Sequence, residues 1–118
     1  MLGVTGSITT YKAADPANKL HQLGAEVWPG MTEGAARFVP PLTFQSQVHR
    51  PVAHDLWTEN DPATVAHVAL ADRADLLLAA TATANTLAQF AHGLAALSDL
   101  SRKFRTAAPG RNPRLAVA

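Results

Sequence analysis

The chain has 118 residues, of which 47% are hydrophobic and 16% are charged, and its formal net charge at pH 7 is +1. This composition fits one domain with a sizeable core, and a charge near zero argues against a nucleic-acid partner. The sequence contains no cysteine, which excludes disulfides, cysteine-ligated zinc and a thiol nucleophile within these residues, and no apolar run is long enough to span a membrane.

Strand and helix signals alternate along the chain in the manner of βαβ units. We predict strands near residues 2–5, 26–31, 51–54, 75–80 and 114–118. Helices are predicted near 7–23, as a broken pair over 33–48, near 62–73, and as one or two helices over 85–100. Pro16 in the interior of the first helix would cost about 3 kcal/mol, so the helix is kinked there or Asp15 and Pro16 begin a separate helix. Pro29 interrupts the second strand and would remove a ladder bond if that strand is interior.

The apolar run from Leu76 to Ala80 indicates the fold class. It has no internal alternation, which is typical of a strand buried on both faces in a parallel sheet covered by helices. This predicts an α/β protein. The run ends in small and hydroxyl-bearing residues, Thr81 to Thr86, that lead into a new helix, and open α/β sheets bind ligands at the carboxyl ends of such strands.

A second signal lies at the amino terminus, where a short strand leads through Gly6 and Ser7 into a helix. Glycine permits a tight turn and close backbone approach, and Ser7 can cap the helix, so exposed N–H groups and the helix dipole would form an anion site suited to phosphate. The pattern is neither G-x-G-x-x-G nor a P-loop, so dinucleotide or ATP chemistry is not indicated. A purely structural turn is the alternative.

Five ordered segments of the chain together carry a family resemblance. They are GVTGSITTYKAAD, MTEGAARFVPPLTFQ, DLW, AHVALADRADLLL, and TATANT followed by AHG. In order and spacing they resemble the flavoprotein decarboxylases that act on C-terminal or phosphopantothenoyl cysteine, over about residues 2–96 and again in the final strand. The resemblance implies a Rossmann-like or flavodoxin-like three-layer sandwich with a mainly parallel sheet, FMN as cofactor, and oxidation of a cysteinyl thiol followed by loss of carbon dioxide.

The resemblance also implies which residues contact FMN. The phosphate would lie on Gly6, Ser7, Ile8 and Thr32, and the ring on Thr83, Ala84, Asn85 and Thr86. The alternative for Ser7 and Thr32 is that they only cap their own helices, and for Asn85 that it only caps the helix that follows. Thr81 stands where the family usually has proline, and we expect this change to loosen the loop and to affect ring affinity rather than ring location.

His67 is the candidate catalytic residue, because its segment resembles the one that contains the family's essential histidine. A histidine can accept or deliver a proton near neutral pH, which is the role that the resemblance implies. On a helix, Ala63, Ala71 and Ala74 share its face, so a flavin or a neighbouring subunit could approach closely. The alternative is a surface or core histidine. The spacing of the other histidines does not indicate a metal site.

The carboxyl-terminal part of the sequence is the least informative. Residues 102–114 hold half of the basic side chains, which is consistent with an anion-binding tail or with a solvated loop. The family would continue into a segment that grips the substrate carboxylate and a flap with a catalytic cysteine. We therefore expect residues 1–118 to be a single flavoprotein domain that lacks both, either as a fragment or as one that a separate polypeptide completes.

These observations give one main functional prediction and two alternatives. The prediction is a cytoplasmic, trimer-based homo-oligomer that uses FMN to decarboxylate a small substrate ending in cysteine, with no membrane or nucleic-acid partner. The alternatives are a non-catalytic FMN-binding or regulatory subunit and a truncated, inactive fragment.

Overall fold

The computed structural model describes residues 1–54, 74–92 and 114–117. Four strands are present in this part of the chain: β1 (Leu2–Val4), β2 (Pro29–Met31), β3 (Leu76–Ala80) and β4 (Arg114–Val117). The helices are α1 (Ala14–Gln22), α2 (Glu33–Phe38), α3 (Pro41–Val48) and α4 (Ala84–His92), and a 3₁₀ helix, Thr10–Ala13, precedes α1. The predicted helix near 62–73, which contains His67, and the basic residues 102–113 lie outside the described residues.

The strands form a parallel sheet in the order β2-β1-β3-β4. Val4 is paired with Met31 on one side and with Ala80 on the other, so the carboxyl ends of β1, β2 and β3 lie level with one another. The chain moves outward from β1 to β2 and then returns to β3 on the other side of β1. Since parallel crossovers are right-handed, α1 and α4 cover opposite faces of the sheet. The predicted Rossmann-like α/β sandwich is confirmed.

Two strand predictions need correction. The second strand begins only at Pro29. The Met31 N–H donates to the Ala53 carbonyl at 2.7 Å and therefore points away from β1. The Pro29 nitrogen, two residues earlier on the same strand, points in the same direction. No bond to β1 is therefore lost. The strand predicted over 51–54 is a single parallel bridge between Gly30 and Ala53. Pro51 has no N–H with which to extend that ladder.

The first helix is also divided, as the alternative for Asp15 and Pro16 predicted. The 3₁₀ helix ends at Ala13, and α1 begins at Ala14. Pro16 is the third residue of α1, in the first turn, where N–H groups have no intrahelical partner. Its missing N–H therefore costs no helical hydrogen bond, and the prediction of one continuous helix over 7–23 is wrong.

In the described residues, the larger of two core clusters lies between the sheet and the helices α1 and α3. Phe44 and Val48 of α3 are almost completely buried against Ala17 of α1 and against Leu2 and Val4 of β1. Small residues on α1 let the two helices approach the sheet closely, and full burial of a Leu or Phe side chain contributes about 1.5–3 kcal/mol. This packing fixes β1 and hence the turn that follows it. No helix in the described ranges is long and apolar enough to cross a membrane.

β3 is the interior strand that its apolar run predicted. It lies between β1 and β4, and Leu77, Ala79 and Ala80 are buried, on both faces of the sheet. Leu76 at its amino end is 39% exposed, so burial is complete only toward the carboxyl end. The strand thus delivers residues 81–86 from a rigid position.

Candidate functional site

The carboxyl ends of β1 and β3 are neighbours at the point where the chain reverses direction across the sheet. We use the term switch-point site for the three segments that follow β1, β2 and β3, namely residues 5–10, 32–35 and 81–86. Ligands of open α/β sheets bind at this position. The structure therefore brings together all the segments that contain the predicted cofactor contacts, apart from any contribution by residues outside the described ranges.

Close contact between two glycines joins the first two segments. A Cβ built on Gly6 would lie 2.5 Å from the Gly34 carbonyl carbon and 2.8 Å from the Ala35 nitrogen. Both neighbours are backbone atoms of α2, so no side chain can move aside. Gly6 has a φ outside the left-handed region, so the requirement for glycine is steric. The predicted close backbone approach at Gly6 is present, and its neighbour is α2.

The Ser7 turn is held by hydroxyl groups. The Ser7 N–H donates to Thr10 Oγ1 at 2.9 Å, and Ser7 Oγ accepts from the Thr9 N–H at 3.3 Å. The hydroxyls of Ser7 and Thr9 are 2.8 Å apart, so one of their two hydrogens is used between them. The other has no partner within the part of the chain that the structure describes, and could be donated to a ligand. Ser7 Oγ thus stabilises the turn, but the N-cap residues are Thr9 for the 3₁₀ helix and Ala13 for α1, so the alternative that Ser7 only caps its own helix is wrong. The Ile8 side chain is 81% exposed beside it.

Thr32 makes a structural contact through its hydroxyl, whose own hydrogen has no partner among residues 1–54, 74–92 and 114–117. It is the N-cap of α2, where its Oγ1 accepts from the Ala35 N–H at 3.1 Å, and its own N–H donates to the Val4 carbonyl at 3.0 Å. A hydroxyl that accepts one hydrogen bond keeps its hydrogen for another partner. Helix capping is therefore present at Thr32, and its predicted phosphate contact stays a prediction.

In the third segment, Thr83 rather than Asn85 caps the helix. Thr83 Oγ1 accepts from the Thr86 N–H at 3.1 Å and lies 2.9 Å from the Thr86 hydroxyl. Asn85 is the second residue of α4, and its side chain is exposed, so the alternative that it only caps α4 is wrong. Ala84 is exposed as well, whereas Thr86 is 5% exposed and its hydroxyl contacts that of the N-cap residue Thr83. Their roles as ligand contacts stay predictions.

Thr5 is also a member of the site, although it is not among the residues predicted from the sequence. This residue is 1% exposed, and it contacts both the Ser7 turn and residues 81–83 through its hydroxyl and its carbonyl group. The available signal was a polar residue between Val4 and Gly6 at the end of a buried strand. Burial of a polar group there requires hydrogen-bond partners. Thr81, opposite Thr5, has a φ of 59°, which is uncommon for a β-branched residue.

The described site is polar but nearly uncharged. Among residues 5–10, 32–35 and 81–86 the only charged side chain is Glu33, which forms an exposed ion pair with Arg37 at 2.6 Å. An anionic ligand would therefore be bound by hydroxyl and backbone N–H donors rather than by lysine or arginine within these segments. The role of His67 stays a prediction, because the residue lies outside the described ranges.

Comparison with known proteins gives several sequence matches. A family model described as Flavoprotein matches residues 1–117. A probable phosphopantothenoylcysteine decarboxylase of Streptococcus mutans is 50% identical over 95 residues, which cover 80% of this chain and 53% of that protein. The coenzyme A biosynthesis bifunctional protein CoaBC of Bacillus subtilis is 45% identical over 95 residues, which cover 80% of this chain and 23% of that protein.

Two solved structures share the fold. The FMN-dependent cysteine decarboxylase SpaF superposes with a TM-score of 0.77 at 29% identity, over 99% of this chain and 65% of that one. A PPC decarboxylase mutant in complex with pantothenoylaminoethenethiol gives a TM-score of 0.67 at 26% identity, over 99% of this chain and 64% of that one. The chain spans about half the length of the first curated relative. The sheet order, the ordered motifs and the match over residues 1–117 show that the chain belongs to the Flavoprotein family.

Proposed function

We propose that the chain binds FMN at the switch-point site. One observation carries this proposal: the carboxyl ends of β1, β2 and β3 lie side by side in the sheet, so the Ser7 turn, Thr32 and residues 81–86 converge there. Family membership and the FMN-dependent structural neighbour support the same cofactor. The Gly6–Gly34 contact brings the hydroxyls of Ser7 and Thr32 to the same end of the sheet, as a phosphate group requires.

The chemistry of the site fits the two parts of FMN. On the phosphate side, two hydroxyl hydrogens have no partner among the described residues: one from the pair Ser7 and Thr9, and one from Thr32. Hydrogen bonds to charged groups contribute about 1.5–3 kcal/mol each. On the ring side, the exposed Ala84 leaves the backbone accessible to a flat ring. The exposed amide of Asn85 offers both donors and an acceptor for the heteroatoms of the ring.

We further propose that the chain contributes to decarboxylation of a substrate that ends in cysteine, with 4′-phosphopantothenoylcysteine as the first candidate. The names of the Streptococcus mutans and Bacillus subtilis relatives support this substrate and a place in coenzyme A biosynthesis. Bound FMN would supply two-electron oxidation of the cysteinyl thiol. His67 would accept or deliver the proton of that thiol, and Asn85 would orient the ring.

A second candidate is an FMN-binding or regulatory subunit whose site another polypeptide completes. The composition of the switch-point site favours it, because residues 5–10, 32–35 and 81–86 contain no histidine and their one charged side chain, Glu33, is exposed and paired with Arg37. These segments therefore supply groups for binding rather than for proton transfer. Binding of FMN is common to both candidates, and turnover separates them.

Release of carbon dioxide from 4′-phosphopantothenoylcysteine by the FMN-loaded protein tests the proposal. We expect His67→Asn to abolish release while the Kd for FMN stays within about tenfold of wild type, because the task of His67 is proton transfer. His54→Asn, at an exposed position outside the switch-point site, is the matched control and should leave both unchanged. FMN binding without release would favour the second candidate. A protein that binds no FMN would contradict both.

A further inference from the structure

Thr5 lies at the centre of a hydrogen-bond network that connects the segments of the switch-point site. Its Oγ1 donates to the Thr81 carbonyl and accepts from the Thr83 N–H at 3.3 Å. The side chain is 1% exposed, so water cannot replace these bonds without a local rearrangement. One hydroxyl thus holds the backbone on both sides of Ala82.

The carbonyl group of Thr5 makes two further contacts. It accepts from Thr10 Oγ1 at 2.9 Å, a hydroxyl whose single hydrogen is shared with the Ser7 carbonyl, and from Thr81 Oγ1 at 3.2 Å. The Thr81 hydroxyl has a single hydrogen, which it also donates to the Ala80 carbonyl at 2.6 Å. The bond from the Thr81 hydroxyl to the Thr5 carbonyl is therefore weaker than the bond from the Thr5 hydroxyl to the Thr81 carbonyl. The network therefore runs from the Ser7 turn through Thr5 into residues 81–83. We call the reciprocal contact the Thr5–Thr81 clamp.

The backbone of Thr81 explains why a clamp is needed. Its φ of 59° lies in the left-handed region, which is disfavoured for a β-branched residue and persists only when the surroundings hold it. Proline is fixed near −65° and cannot adopt this conformation. By resemblance, the family usually has proline at this position. The expectation that its loss only loosens the loop is therefore incomplete, because the structure holds Thr81 in a conformation that proline excludes.

We propose that Thr5 and Thr81 are positioning residues that orient residues 83–86 toward the flavin ring, in place of the family's proline. The proposal rests on the proposed FMN site. By connecting the Ser7 turn to residues 81–83, the clamp sets the distance between the phosphate contacts and the ring contacts. Ala84 and Asn85 are exposed next to the clamp, and the N-cap residue Thr83 is tied to Thr5 directly.

Isosteric variants test the clamp. Thr5→Val and Thr81→Val keep the side-chain shape and remove the hydroxyl group, whereas Thr5→Ser and Thr81→Ser keep it. Thr43→Val, on α3 and outside the switch-point site, is the matched control. Three quantities are measured: the Kd for FMN, the visible absorption and circular dichroism of the bound flavin, and, without FMN, hydrogen exchange of the Thr83 amide.

We expect Thr5→Val to weaken FMN binding at least about fivefold and to speed Thr83 exchange by a similar factor, which corresponds to one hydrogen bond of ordinary net strength. Thr81→Val should weaken binding in the same direction, and the flavin spectra of both should shift. The serine variants and Thr43→Val should match wild type. Thr81→Pro, which restores the family's usual residue, should bind FMN more weakly than Thr81→Val because its φ requires a different loop backbone.

Two results would overturn the proposal. One is wild-type FMN affinity and an unchanged flavin spectrum in Thr5→Val, and the other is a Thr81→Pro variant that binds FMN as well as wild type. A structural role alone would lower stability without moving the spectrum of the flavin that still binds. If the wild-type chain binds no FMN, the proposed function fails instead, and unchanged Thr83 exchange in Thr5→Val would then contradict the clamp itself.

Discussion

Replacement of Gly6 by alanine tests the contact that joins the first two segments of the switch-point site. The new Cβ would lie 2.5 Å from the Gly34 carbonyl carbon, whereas an ordinary van der Waals contact is 3.4 Å or longer. The Ser7 turn and α2 must therefore move apart by about 0.9 Å, and both sides are backbone. Overpacking of this kind costs about 1–3 kcal/mol.

The same displacement separates Ser7 from Thr32, which we propose as donors to one phosphate group. Loss of one hydrogen bond to a charged group costs about 1.5–3 kcal/mol, so the Kd for FMN should rise by about 10- to 140-fold. Thermal unfolding measures the first effect, and fluorescence titration with FMN measures the second. For a domain of this size, 1 kcal/mol corresponds to a Tm shift of about 3–6 °C.

Gly34→Ala is the matched control, because it adds the same methyl group on the other side of the same contact. Its Cβ would lie 3.6 Å from Gly6 Cα and 3.9 Å from Thr32 Oγ1, which are ordinary contacts. Alanine is favoured over glycine within a helix by up to about 1 kcal/mol, so this variant should be neutral or more stable and should bind FMN normally. If Gly6→Ala is as stable and binds as well as wild type, or if Gly34→Ala is equally damaging, the steric argument is wrong.

Three other predictions concern the caps, the ring contact and the assembly. Thr32→Ala and Thr83→Ala should each lower the free energy of unfolding by about 1 kcal/mol in urea denaturation, because each loses an N-cap, and no loss would contradict the capping roles. Asn85→Asp should weaken FMN binding in titrations because it adds a negative charge and removes two donors, whereas Gln89→Glu one turn later on α4 should not. Light scattering should show a trimer-based oligomer, and a stable monomer with FMN bound would refute this.

The parts of the fold that depend on local pattern were predictable from the sequence. The uninterrupted apolar run of β3 indicated an interior parallel strand, and Pro16 indicated a helix boundary. The limits of the second strand were not predictable from the sequence. They depend on which way the Pro29 nitrogen points relative to β1, and this orientation is set by the strand register, which the sequence does not specify. Likewise, the strand predicted over 51–54 consists of one bridge, between Ala53 and Gly30. The extent of this pairing also depends on register.

At the site, the sequence indicated the correct segments but not the division of roles within them. Thr83 and Asn85 are both good N-cap residues, and only the position at which α4 begins distinguishes them. The Gly6–Gly34 contact and the Thr5–Thr81 clamp join residues that are far apart in the sequence. Such contacts depend on strand order, and local patterns contain no information about them.

The most direct test of the account is isothermal titration of the purified chain with FMN, FAD and NAD. The switch-point site has one set of hydroxyl donors that we propose for phosphate, around Ser7 and Thr32, and the sequence has no diphosphate fingerprint. We therefore expect one molecule of FMN to bind per chain, with weaker binding of FAD and NAD. Absence of FMN binding, or a preference for FAD or NAD, would contradict the central claim.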